Sequence, residues 1–82
     1  MEIRECEFCH SREIIRTVVN EVYPSNGEYL LIEDIPVWRC TQCGEKYYEA
    51  EVLINIERLL EKRVPVLRTV QMPVLAYNYL RP

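Results

Sequence analysis

Glycine, histidine and long apolar runs are scarce in this sequence, and the scarcity of glycine and of apolar runs excludes several classes of protein. Only two of the 82 residues are glycine and only one is histidine. Collagen-like and low-complexity chains are therefore excluded, and so is a Gly-rich phosphate-binding loop. No apolar run approaches the roughly 20 residues that a membrane-spanning helix needs. Residues 1–10 also lack the hydrophobic stretch of a secretory signal, so we expect a cytoplasmic protein that does not bind membranes.

Positively charged residues are also fewer than negatively charged ones. Ten Lys and Arg against 13 Asp and Glu give a formal net charge of -3, which argues against a chain that binds nucleic acid by general attraction to phosphates. Arg68 and Arg81 are the only charged side chains after residue 63, and their +2 within the total of -3 leaves -5 on residues 1–63. We therefore expect no DNA binding by the isolated chain, whereas a basic protein partner is compatible with this charge.

The four cysteines form two Cys-x-x-Cys pairs, at Cys6 and Cys9 and at Cys40 and Cys43. Two such pairs separated by a long insertion are typical of a tetrahedral zinc site with four thiolate ligands. A chain this small often needs a metal ion or another cross-link to stay folded, because it buries only about 60% of the surface that its unfolded form exposes. We therefore predict that the four thiolates bind one structural Zn²⁺ ion.

The residue that follows each pair differs between the two turns. Gly44 follows the second pair, where such turns tend to need a positive φ that glycine adopts at little steric cost. His10 takes the equivalent place after the first pair, and histidine tolerates that conformation better than a β-branched residue does. His10 is also an alternative ligand in place of Cys9, although four thiolates at matched spacing favour Cys9.

Three other interpretations of the cysteines stay open. Two disulfides would suit a secreted mini-protein, for which no signal peptide gives support, and a thioredoxin-like redox pair would need a βαβ unit. A rubredoxin-like iron site uses similar turns, and the sequence does not separate iron from zinc. A closed four-thiolate site has no open position for a reacting water. Because no nucleophile–base set stands elsewhere, we do not expect an enzyme.

The residues between the two pairs predict a β-hairpin. Residues 14–23 are rich in β-branched side chains and are expected to form a strand. Residues 24–27 contain Asn-Gly, the strongest pair of a turn signal, and a second strand follows at residues 29–33. Pro36 is expected to interrupt that strand before residues 37–39 run into the second cysteine pair. Such a hairpin would bring the two cysteine pairs together.

A helix is predicted after the second pair. Its apolar residues recur at helical spacing and are Val52, Leu53, Ile56, Leu59 and Leu60. Acidic residues at its start and Lys62 and Arg63 at its end suit the helix dipole, and Pro65 ends it. The apolar stripe is expected to pack on the hairpin, with Trp38 in the same core.

The tail, residues 63–82, is apolar but contains prolines that forbid a helix through it. Of residues 64–82, 11 of 19 are apolar or aromatic, too many for a solvated tail. Extended segments of this kind usually pair with a sheet edge. Two interpretations are open: the tail pairs with its own hairpin or with a second copy in a homodimer, or it is an arm for another protein.

An extended tail would present apolar groups on both sides. One side would carry Val70, Met72, Val74 and Ala76, and the other Leu75, Tyr77 and Tyr79. The expected partner-binding residues are Met72, Val74, Leu75, Tyr77 and Tyr79. The predicted fold is thus a small α+β, zinc-ribbon-like domain, in which two cysteine turns are joined by a hairpin and followed by one helix and an extended tail.

Residues 1–62 resemble the YgiT-type zinc finger, which forms the N-terminal half of MqsA-like antitoxins. The most specific portion is IPVWRCTQCGEKYYEAEVL, residues 35–53. The resemblance implies that the four cysteines bind a structural zinc ion and that this domain takes part in binding a toxin. The chain is thus expected to have two regions: a YgiT-type zinc-binding domain at residues 1–62, which the resemblance implies, and a partner-binding arm at residues 63–82, which the composition of the tail indicates.

Two departures from that family limit what the resemblance implies. MqsA-like antitoxins carry a C-terminal helix-turn-helix that binds the operator, and this sequence has no room for one, so repression through DNA is not implied. The first cysteine turn also lacks the usual glycine. The expected function is an antitoxin of a type II toxin–antitoxin system that neutralises a small ribonuclease-like toxin. The alternatives are a zinc-ribbon module for nucleic acid or the transcription machinery, and a rubredoxin-like electron carrier.

Overall fold

The computed structural model describes residues 3–62 and 64–80. Strands β1 (Ile14–Ser25), β2 (Glu28–Cys40) and β3 (Lys46–Tyr47) form an antiparallel sheet in that order. One helix, α1 (Ala50–Glu61), follows the sheet, and a 3₁₀ turn at Tyr77–Leu80 ends the described tail. Within these residues no helix is long and apolar enough to cross a membrane. The predicted hairpin followed by one helix is confirmed.

The loop between β1 and β2 consists of Asn26 and Gly27. Both residues have a positive φ, 48° and 82°, as a type I′ turn requires, and this requirement is the reason that Asn-Gly is favoured there. The strands extend further toward the loop than predicted, since Pro24 still pairs with Tyr29 across the hairpin. The loop fixes the strand register, and the register determines which residues lie together at the far end of the hairpin.

The irregularity of the hairpin lies before Pro36 and not at it. Pro36 is inside β2, so the prediction that it interrupts the strand is wrong. The register instead shifts at Asn20, whose Oδ1 accepts a hydrogen bond of 3.0 Å from the N–H of Asp34, and Asp34 has a φ of 59°. On the other side of β2, β3 pairs only with Trp38 and Arg39. In the described part of the chain no strand adjoins Pro36 there, a position at which proline is tolerated.

A small hydrophobic core lies between β2 and α1. Ile35 and Val37 of β2 and Ile56 of α1 are at most 7% exposed. Partly buried side chains surround them: Val19, Tyr23, Ile32, Tyr48, Val52 and Leu60. The predicted apolar stripe therefore packs on the hairpin, except that Leu53 and Leu59 remain about half exposed. So few buried groups supply little hydrophobic stabilisation, at about 1.5–3 kcal/mol for each large side chain.

Trp38 does not join this core, and that prediction is wrong. Successive side chains of a strand point to opposite faces, so Trp38 and the buried Val37 cannot share one. Trp38 is half-buried instead, with the Arg16 guanidinium 5.1 Å from its ring centroid. Its Nε1–H donates to Oε1 of Glu49 at 3.0 Å, and Arg16 pairs with the same oxygen. Trp38 therefore ties the start of α1 to the hairpin.

The ends of α1 are close to those predicted. Glu51 lies in the first turn and Arg58 in the last, as the helix dipole favours. Lys62 is the residue that caps the helix, and its N–H donates to the carbonyl of Arg58 at 2.9 Å. Arg63, which was expected to end the helix, lies outside the described residues. Pro65 follows shortly after the observed end, in agreement with the predicted stop.

A polar cluster around Glu21 joins β3 and the residue that follows it to the hairpin. Oε1 of Glu21 accepts a hydrogen bond from the Tyr23 hydroxyl at 2.7 Å. Its Oε2 accepts from the Tyr48 hydroxyl and, at 3.1 Å, from Nζ of Lys46. The Tyr48 hydroxyl, followed by that of Tyr23, holds the pKa of Glu21 below its ordinary value. The carboxylate is thus favoured over the neutral acid.

Glu21→Gln is expected to lower the free energy of unfolding by about 1.5–3 kcal/mol, the usual worth of a hydrogen bond to a charged group. The matched control is Glu28→Gln, since Glu28 is an exposed acid of the same hairpin and should give a change within about 0.5 kcal/mol. Denaturant unfolding of the metal-loaded proteins measures both changes. Equal stability losses in the two variants would show that the Glu21 cluster does not support the fold.

The same cluster predicts a loss of stability at alkaline pH. Burial, and then the neighbouring Glu21 carboxylate, raises the pKa of Tyr23 to about 12 from an ordinary value of 10.0. A raised tyrosine pKa means that the fold favours the neutral phenol, so this stabilisation is complete below about pH 10 and is lost as the pH rises through 12. Tyrosinate absorbance followed together with unfolding should show Tyr23 titrating at lower pH in Glu21→Gln.

Candidate metal centre

The first cysteine pair lies in a tight turn that precedes β1. The N–H of His10 donates to the carbonyl of Cys6 at 2.8 Å, and the N–H of Cys6 donates to the carbonyl of Ser11 at 2.8 Å. His10 has a φ of 64°, in the left-handed region. The prediction that histidine adopts the conformation usually reserved for glycine is confirmed.

The second pair repeats this arrangement at the end of β2. The N–H of Gly44 donates to the carbonyl of Cys40 at 2.9 Å, and the N–H of Cys40 donates to the carbonyl of Glu45 at 2.9 Å. Gly44 has a φ of 81°. Both turns therefore place two sulfurs by the same backbone hydrogen bonds at the same spacing. The signal for this equivalence was the Cys-x-x-Cys spacing itself.

The hairpin joins the two turns, as predicted. Ile14, the first residue of β1, pairs with Cys40, the last residue of β2. Beyond the sheet, the N–H of Thr41 donates to the carbonyl of Glu13 at 2.9 Å, and Nε2 of Gln42 donates to Oε2 of Glu13 at 2.6 Å. The strand ladder thus continues into the two turns and holds them side by side.

The four sulfur atoms lie within 4.8 Å of one another and could hold one metal ion. Sγ of Cys6 is 3.6 Å from that of Cys43, and Sγ of Cys9 is 3.5 Å from that of Cys40. All four cysteines are free thiols. His10, the alternative ligand, is not in the cluster; its imidazole is exposed and lies 3.5 Å from a Glu5 carboxylate oxygen.

Burial divides the four cysteines into two kinds. Cys6 and Cys40, the first residue of each turn, are fully buried, whereas Cys9 and Cys43 are exposed. The Tyr47 hydroxyl, assisted by backbone N–H groups, lowers the pKa of Cys6 to about 6. Backbone N–H groups of its own turn, that of Cys43 foremost, lower the pKa of Cys40. The buried sulfurs are thus the ones most readily ionised.

The exposed sulfurs behave in the opposite way. The Ser11 N–H favours the Cys9 thiolate, but desolvation by the surrounding chain and the thiols of Cys40 and Cys6 outweigh it and raise the pKa of Cys9. The Glu45 N–H likewise favours the Cys43 thiolate, while desolvation and the three other sulfurs raise its pKa to about 12. Without a cation, four adjacent thiols cannot all ionise, because each new negative charge opposes the next. A divalent cation removes that opposition.

The predicted partner-binding residues lie in the tail and are not part of the sulfur cluster. Residues 64–76 form neither helix nor strand, so the described tail does not pair with its own hairpin. Its last residues, Tyr77–Leu80, form the 3₁₀ turn. The expectation that Leu75, Tyr77 and Tyr79 share one side of an extended chain is therefore wrong beyond Ala76, because a 3₁₀ turn advances about three residues per revolution.

An ion pair that the sequence did not indicate connects the tail to the rest of the chain, residues 1–62, which we call the body. The guanidinium of Arg68 contacts Oε1 of Glu33, next to the irregularity in β2. Val70 and Met72, shortly after it, are about half exposed, whereas the residues beyond Pro73 are almost fully exposed. The sequence contains no helical or strand pattern that would predict this change in exposure along the tail.

Comparison with protein-family models, with curated proteins and with solved structures found no match. The functional assignment therefore depends on the geometry of the chain and on the motifs described above.

Proposed function

We propose that this chain is an antitoxin-like binding protein: a body held by structural zinc presents an apolar tail that binds and neutralises a small ribonuclease-like toxin. The observation that carries the proposal is the exposure of the outer tail. Its five large apolar and aromatic side chains are between 86% and 97% exposed and are Val74, Leu75, Tyr77, Tyr79 and Leu80. Contiguous exposed apolar surface of this kind marks an interaction site.

The sulfur geometry supports one tetrahedrally coordinated ion, and zinc is the ion that we propose. A tetrahedral zinc with Zn–S bonds of about 2.3 Å places its sulfurs about 3.8 Å apart. Two of the sulfur pairs are 3.6 Å and 3.5 Å apart, and all four sulfurs lie within 4.8 Å of one another, so these two pairs already have nearly the spacing that the ion needs. With four thiolates the coordination is complete, and such sites are structural because they leave no position for a substrate. Zinc would therefore stabilise the body and take no part in a reaction.

Charge and residue type indicate the class of partner. The described tail contains one charged residue, Arg68, so its contacts must be apolar, aromatic and through the main chain. Residues 1–63 carry a net charge of -5, since Arg68 and Arg81 account for +2 of the total of -3. A basic, RNA-binding protein would be attracted to that body and would offer apolar surface to the tail. The resemblance to the YgiT-type zinc finger agrees with a toxin in this role.

The test is expression of the product of the neighbouring open reading frame, which the proposal expects to be a small basic protein. Alone it should stop growth, and co-expression of this chain should restore growth. Tyr77→Ala with Leu75→Ala should weaken the rescue, because large anchors carry most of the energy of an interface. Asn78→Ala is the matched control, as Asn78 lies in the same exposed 3₁₀ turn. A harmless neighbour, or toxicity that this chain does not relieve, contradicts the proposal.

A further inference from the structure

We propose that Tyr47 is a positioning residue of the metal centre: its hydroxyl donates to Sγ of Cys6 and thereby sets how tightly the ion is held. The hydroxyl oxygen lies 3.2 Å from that sulfur and accepts a hydrogen bond of 3.0 Å from the N–H of Glu7. A phenol has a single O–H to donate. The Glu7 N–H uses one lone pair of the oxygen, and a metal-bound Cys6 is a thiolate without a proton, so the hydroxyl is the donor and the sulfur accepts.

This contact breaks the equivalence of the two cysteine turns. Backbone N–H groups of Phe8 and Cys9 favour the Cys6 thiolate, and those of the second turn favour the Cys40 thiolate in the same way. Among the sulfurs of the described chain, only that of Cys6 has a side-chain hydroxyl as a further donor. Cys6 is thus the ligand whose orientation and charge are most firmly fixed.

Tyr47 also joins the two halves of the centre. It pairs with Trp38 across β2 and β3, directly after the second cysteine turn, whereas Cys6 opens the first. The bond spans 41 residues of sequence, so it holds the turns together independently of the strand ladder. A hydrogen bond to a ligand also spreads the negative charge that four thiolates leave around a divalent ion, and removing such an outer contact typically costs 10–100-fold in metal affinity.

The experiment compares Tyr47→Phe with Tyr48→Phe in the full chain. Each variant loses one tyrosine hydroxyl, but the Tyr48 hydroxyl donates to Glu21 and not to sulfur, so its loss tests general weakening of the fold. Loaded with Co²⁺, Tyr47→Phe should move the sulfur-to-metal charge-transfer band to lower energy, because a thiolate that loses a hydrogen bond becomes a better electron donor. Tyr48→Phe should leave the band in place.

Competition with a chromophoric chelator gives the second readout. We expect Tyr47→Phe to lose affinity for Zn²⁺ about 10–100-fold, clearly more than Tyr48→Phe. An unchanged charge-transfer band in Tyr47→Phe, or the same shift in both variants, would overturn the proposal. If Tyr47→Phe does not fold, the wild-type chain loaded with NMR-active cadmium still decides: coupling between the metal and the Tyr47 hydroxyl proton supports the bond, and a rapidly exchanging hydroxyl contradicts it. None of these results depends on the toxin.

Discussion

Removal of the metal by a strong chelator, or Cys40→Ser, is expected to unfold residues 1–62. Apart from Cys6 and Cys40, the only buried apolar side chains among the described residues are Ile35, Val37 and Ile56. A core of that size leaves little stability in reserve, whereas a structural zinc site contributes about 10–16 kcal/mol of apparent binding free energy. Losing the ion therefore removes more stability than a small domain has.

Circular dichroism measures this expectation directly. Chelator should abolish the helix and strand signals, and added Zn²⁺ should restore them. His10→Asn is the matched control for Cys40→Ser, because asparagine also tolerates the φ of 64° found at His10 and His10 is not in the sulfur cluster. The control should fold and bind one ion. A spectrum that chelation does not change, with metal shown to be absent, would mean that the body folds without an ion.

Truncation after Lys62 is expected to abolish binding to the toxin and to leave the metal centre intact. The tail contacts the body through the Arg68–Glu33 ion pair, which is partly exposed, and such surface pairs contribute only about 0–1 kcal/mol. The body therefore loses little when the tail is removed. The toxin loses the exposed aromatic and apolar groups on which we propose that it docks.

Zinc content and inhibition of the toxin's ribonuclease activity are measured together on the truncated chain. Arg68→Ala in the full chain is the control, since it breaks the ion pair and keeps every apolar residue of the tail; it should still inhibit. A truncated chain that retains zinc and inhibits as well as the full chain would place the toxin interface on residues 1–62. The tail would then have no part in binding.

The features that the sequence predicted correctly are those encoded over a few adjacent residues. Asn26 and Gly27 specify a two-residue loop because both positions need a positive φ. Gly44 and His10 were placed correctly by the spacing of the cysteines before them. A hairpin of fixed register then brings its two ends together, so the clustering of the four sulfurs follows from these local signals.

The features that the sequence did not predict depend on contacts between distant residues. Proline was expected to break β2, but Pro36 pairs with Val18 of β1 and is tolerated because no described strand adjoins it on the other side of β2. The register shift lies at Asn20 instead. Trp38 was assigned to the core, although the neighbouring Val37 occupies the core face. The bond from Tyr47 to Cys6 crosses 41 residues, and neither residue type alone indicates it.

The native mass spectrum of this chain co-expressed with the product of the neighbouring open reading frame tests the central claim most directly. It reports metal, oxidation state and partner together, since zinc, iron and two disulfides each change the mass of the chain differently. We predict a complex that contains this chain with one Zn²⁺ ion, no disulfide, and the partner. Chain found free of the partner, or carrying two disulfides in place of a metal ion, would contradict the account of a zinc-held body that presents its tail to a toxin.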